Sequence, residues 1–167
     1  MMDKKIIFPV LFISILAISM ASICAIELNQ NQDFNGLFTM KVNSNDNFTN
    51  VGNPQDYSSL LNSKAAYKNN DSSVYVLVYD NNIQTTVDMM SGGKLSIINS
   101  ATPGNSVVNE GNLYIFNSTD EMSKEMGGNA TFFVGVENNG DPARSVVVCG
   151  NDANLVKEYA KTIEFKK

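Results

Sequence analysis

Three observations make an α+β domain with an antiparallel sheet, preceded by an N-terminal export segment, the architecture to expect of this 167-residue chain. Short runs rich in Val, Ile, Tyr, Phe and Thr alternate with clusters of Asn, Asp, Gly and Ser. The runs are strand-like and the clusters turn-like, because Asn tolerates left-handed backbone and bonds its own main chain. Leu155, Val156, Tyr159, Ala160 and Ile163 recur at spacings of three and four, which is the period of a helix. Lys4 and Lys5 precede an uncharged stretch from Ile6 through Ile26, the pattern of a signal peptide or signal anchor.

The chain therefore divides into residues 1–25, a signal peptide or N-terminal membrane anchor, and residues 26–167, a single extracytoplasmic α+β domain. Small residues suited to cleavage are Ser19 with Ala21, or Ser22 with Cys24. If the segment is retained, residues 6–26 are long enough to hold the domain at the membrane, since about 20 apolar residues span a bilayer. Beyond it the chain keeps 10 basic and 16 acidic side chains and a single cysteine, Cys149. The domain then has no intramolecular disulfide, and its fold must rest on its core.

Leu37 to Val42 alternates so that Phe38, Met40 and Val42 share one face, a half-buried strand. Residues 56–62, after Pro54, have helical spacing in Tyr57, Leu60 and Leu61. A meander is expected next: Lys64 to Lys68, a turn at Asn69 to Asp71, Ser73 to Tyr79, a turn at Asp80 to Asn82, and a third strand from Ile83 to Met89. Gly92 and Gly93 would end that strand. A hairpin crosses Glu110-Gly111, with Leu113 and Ile115 in its second arm. Ser118-Thr119-Asp120-Glu121 has the spacing of a capping box, opening a short helix that stops at Gly127-Gly128. Thr131 to Val136 and Arg144 to Cys149 form a hairpin around Asn138 to Pro142, and the uniformly apolar Val146-Val147-Val148 belongs in the centre of the sheet. After Gly150, Asn151 or Asp152 can cap the last helix, which covers one sheet face.

Composition excludes several chemistries. No His is present, which removes His-based triads, zincin helices and His-ligated haem, and the only Arg is Arg144. A net charge of -5 argues against duplex nucleic acid as a partner, because such binding needs clustered cations to release phosphate counterions. Asn31 to Gly36 resembles the first half of a calcium loop, but its twelfth position is Val42 where a bidentate Glu is required. Ser91-Gly92-Gly93-Lys94 lacks the earlier glycine of a phosphate loop, since residue 88 is Asp88. Asp120, Glu121 and Glu125 suit the first turns of a helix better than acid/base chemistry. Cys149 ends an apolar strand and has no His to activate it. No catalytic residue, cofactor or metal site is assigned.

Four N-glycosylation sequons start at Asn47, Asn70, Asn117 and Asn129, all in expected turns or element ends where an acceptor is reachable. Tyr75, Tyr79, Tyr114, Phe116, Phe132 and Phe133 lie on expected strands, where aromatics build cores or, if they point outward together, anchor a partner.

The basic start and apolar run, Phe38-Thr39-Met40-Lys41-Val42, Gly111-Asn112-Leu113-Tyr114-Ile115, and Val146 to Asp152 leading to Ile163-Glu164-Phe165 together resemble uncharacterised small exported proteins of methanogenic archaea. The succession of early strand, antiparallel meander and final helix is similar to the PsbP/Mog1-like α+β fold, a likeness that carries no catalytic residue across. The function expected from all of this is a secreted or membrane-anchored, non-enzymatic module that binds an envelope component or another protein through its sheet face. The alternatives are a small-molecule or carbohydrate-binding pocket and, behind it, a carboxylate-based hydrolase.

Overall fold

The computed structural model describes residues 26–51, 61–98, 106–140 and 143–166. The export segment, most of the expected helix at 56–62, and Asp141-Pro142 of the expected hairpin lie outside the described residues.

Eight strands form one large sheet in the order β3-β4-β5-β10-β9-β8-β7-β6: β3 (Thr49–Asn50), β4 (Ala65–Lys68), β5 (Val74–Tyr79), β6 (Ser96–Ile98), β7 (Ser106–Glu110), β8 (Leu113–Asn117), β9 (Phe132–Asn138) and β10 (Arg144–Gly150). All neighbours are antiparallel except β6 and β7, so the sheet is mixed rather than wholly antiparallel. A second, three-stranded antiparallel sheet joins β1 (Gln30–Phe34), β2 (Phe38–Val42) and β11 (Glu164–Phe165). Among the described residues three helices complete the fold: α1 (Ile83–Ser91), α2 (Asp120–Glu125) and α3 (Ala153–Lys161).

The alternation along β5 and β10 sorts two cores. Val74, Val76, Val78, Val146 and Val148 face α3 and the small sheet, where they meet Val156, Tyr159, Phe34, Phe38 and Met40. Leu77, Tyr79, Val147 and Cys149 face the opposite way, against Val87 and Met90 of α1, Met122 of α2 and Met126 at its end. The three valines Val146 to Val148 are fully buried because β10 lies between β5 and β9 and both of its faces are covered. Aromatic packing ties the small sheet down: Phe34 stacks on Phe38 at 4.5 Å, and Tyr67 meets Phe34 edge-on at 5.0 Å.

Residues 83–89 are helical, not the third strand of a meander. Asn82 caps them with its side-chain oxygen on the Thr85 N–H at 2.9 Å, and Ile83, Thr86, Val87 and Met90 then lie buried along one face. The Thr86 and Ser145 hydroxyls share a buried hydrogen bond of 2.6 Å that fastens the helix to β10. Gly92, at φ 60°, ends this helix and not a strand, a left-handed backbone that glycine adopts without Cβ strain. The cap of α2 is also displaced by one residue: Thr119, not Ser118, accepts from the Met122 N–H. The C-terminal helix begins as expected, with Asp152 Oδ1 accepting from the N–H groups of Asn154 and Leu155. Among the described residues no helix is long and apolar enough to cross a membrane.

Candidate functional site

A cleft of about 410 Å³ with mixed polar and apolar walls opens where the N-terminus of α1 meets the ends of β7, β8 and β9. The β5-to-α1 turn supplies Asn82 to it, the β7–β8 hairpin supplies Asn109 and Tyr114, and β9 with its following turn supplies Glu137 and Asn139. Glu137 organises this wall. Its Oε1 accepts from the Tyr114 hydroxyl at 3.0 Å and its Oε2 accepts from the Ile83 N–H at 2.9 Å. The second bond satisfies an open donor of the helix and sets a negative charge at its positive end. Burial, followed by the hydrogen bond to Glu137, holds the Tyr114 phenol above its ordinary value, so it stays a neutral donor.

Asn109 lies opposite Tyr114 in the β7–β8 register. Its Oδ1 is buried and has no hydrogen-bond partner. A buried acceptor without a donor costs about 1–3 kcal/mol, and rotation of the Asn109 side chain toward the cleft would let a ligand hydroxyl or amide recover it. Apart from Glu137, no lining side chain among the described residues is charged: asparagines, a glutamine, a tyrosine and two isoleucines make up the rest. Such a surface offers paired donors and acceptors together with a partly exposed aromatic ring.

The other expected candidates fall elsewhere. Glu121 pairs with Lys94 and shares a small surface pocket with Asp120, while Glu125 accepts from the Leu61 N–H at 3.2 Å, so the three carboxylates do not gather in one site. No cluster of three metal-ligating side chains occurs among the described residues. Asn31 to Gly36 forms a strand and a hairpin turn, with Asp33 Oδ1 accepting from the Gly36 N–H, and holds no calcium-loop geometry. Cys149 is fully buried, and that burial pushes its thiol far above the ordinary range. Of the six aromatics, Tyr79, Phe116 and Phe133 are core residues, Tyr75 and Phe132 are half-buried, and Tyr114 alone lines the cleft.

All four sequon asparagines are exposed: Asn47 before β3, Asn70 in the β4–β5 turn, Asn117 at the end of β8 and Asn129 before β9. Glu137 and Asn109 were not legible as site residues in the sequence. Their only signal is a polar side chain near the end of an apolar strand, which is common at sheet edges. The chain matches no family model, no curated protein and no solved structure.

Proposed function

We propose that this protein is an exported, non-enzymatic binding domain, secreted or anchored at the cell surface by its N-terminal segment, and that it holds a neutral hydroxyl-rich ligand, a saccharide unit or similar small molecule, in the cleft. The observation that carries the reading is the unpartnered Asn109 Oδ1 beside the fixed Tyr114–Glu137 pair. An uncharged ligand suits it, because Glu137 is already committed through both oxygens and no cation among the described residues lines the cleft. Binding is assigned here rather than to a sheet face because the central strands carry helices or the small sheet on both sides. Met89 is the one large hydrophobic side chain exposed among the described residues, which leaves little apolar surface for docking another protein.

The test is a titration of the purified protein with neutral mono- and oligosaccharides, followed by NMR shifts of the Asn109, Tyr114 and Glu137 amides. Saturable shifts confined to these residues are expected, with Asn109→Ala weakening binding about tenfold, the value of one hydrogen bond to a buried acceptor. Shifts spread evenly over the surface, or none across the sugar panel, would overturn the ligand assignment.

A further inference from the structure

We propose that the end of the large sheet opposite the cleft is a glycan-bearing surface, with Asn47, Asn70, Asn117 and Asn129 as its acceptors. In sequence these sites span more than 80 residues. The strand registers bring them to one end. Val74, which follows the Asn70 turn, lies opposite Gly150; Gly150 lies opposite Phe132, and Phe132 opposite Asn117. The Thr131 N–H donates to Gly150 O, which puts Asn129, two residues earlier, beside the same strand end. Thr49 pairs with Lys68, and Asn70 Nδ2 donates to Asn45 O at 3.0 Å, so Asn47 joins the group from the other flank. Five strand spacings separate β3 from β8, so the acceptors are spread over about 24 Å.

The cleft lies at the other end of β10, about 20 Å away along the strand. That end also carries asparagines, Asn81, Asn82, Asn109, Asn112, Asn138 and Asn139, yet none of the six stands in a sequon. This segregation of the sequons gives the domain a polarity: a sugar layer over one end, and an uncovered cleft at the other.

The donor is a lipid-linked sugar phosphate or pyrophosphate. The acceptor Nδ2 attacks the anomeric carbon, and a C–N bond replaces the sugar's C–O bond to the carrier. The carrier phosphate leaves with the electron pair, and the amide proton passes to a base of the transferase. Asn70 is the acceptor whose nitrogen is already engaged, by Asn45 O, so it is modified least. Changing Thr119 would remove the α2 cap as well as a sequon, and Thr131 donates to Asn151 Oδ1 at 3.1 Å. Asn→Gln variants are therefore the cleaner probes.

The inference rests on export, and one experiment separates the two: intact mass and peptide mapping of the full chain recovered from medium, membrane and cytosol of its native cell. Expected is a translocated chain with sugar mass on two or more of the four acceptors, Asn70 the least occupied. At each acceptor found modified among Asn47, Asn117 and Asn129, the Asn→Gln variant should remove one mass increment without moving the thermal midpoint. A translocated chain with one modified acceptor or none would overturn the glycan layer and leave export standing. An unmodified chain confined to the cytosol would overturn both.

Discussion

Glu137 joins three elements through two oxygens, from its own strand to the Tyr114 ring and to the first N–H of α1. Glu137→Ala leaves both donors without that acceptor and should cost about 1–3 kcal/mol, measured by chemical denaturation, while Tyr114→Phe should cost about 1 kcal/mol because only one bond is lost. Two glycines discriminate between kinds of close contact. A Cβ at Gly150 would lie 2.6 Å from the backbone oxygen of Ser73 and 3.3 Å from Val156 Cγ2, so strands or helix must shift. A Cβ at Gly135 would lie 2.5 Å from Ile83 Cδ1, the free end of a side chain that can turn away. Gly150→Ala should therefore destabilise by about 1–3 kcal/mol and Gly135→Ala by less, a ranking that thermal melts of the two variants would check. Neither glycine announces itself in the sequence, since the nearest crowding atom comes from a residue 77 positions away for Gly150 and 52 for Gly135.

Helix α1 is the element where local sequence and structure diverge most. Ile83, Thr85, Thr86 and Val87 are β-branched, and together with the preceding Asp-Asn-Asn turn they read as a strand. The same residues place Ile83, Thr86, Val87 and Met90 at helical spacing, and burial of that face against β9 and β10 outweighs the modest propensity penalty. Asn82 starts the helix and Asp152 starts α3, each by accepting from backbone N–H groups of the first turn. Asn82→Ala and Asp152→Ala should each cost about 1 kcal/mol, with the larger loss at Asp152, whose oxygen accepts from two N–H groups; equilibrium unfolding of both variants checks the order. Strand β1 is a second divergence. Gln30, Asn31, Gln32 and Asp33 have no apolar alternation, yet all pair with β2, and the Gln32 amide substitutes for a further strand by bonding both Phe48 O at 2.6 Å and Phe48 N–H at 3.0 Å.

Two cores on either side of one sheet, with no His, give the molecule a broad plateau of stability in pH. Asp80 is held below its ordinary value chiefly by the Lys64 hydrogen bond, Asp71 by the Ser73 hydroxyl and Asp33 by Lys166. The unfolded chain therefore takes up these protons first, near pH 4, so the stabilisation is complete above that value and is lost as pH falls through the folded-state values. Burial raises the Cys149 thiol and the Tyr79 and Tyr159 phenols. The unfolded thiol and phenols ionise from about pH 8.5 and pH 10, so this contribution is complete below those values and is lost as pH rises. Melts followed by circular dichroism should be flat from about pH 5 to 8 and fall beyond about pH 4 and pH 9. The sequence by itself determined β2, the central β5, β9 and β10, the buried Cys149 and the capped final helix, because each is written in a local period or turn residue that neighbouring side chains share. Only the tertiary structure decided the helical state of 83–91, the parallel β6–β7 pair, the small sheet closed by β11, and the cleft that brings Asn82, Asn109, Tyr114 and Glu137 together. Those features depend on which distant surfaces bury one another, and the strand order that joins them is a property of the whole packed chain and of no single stretch.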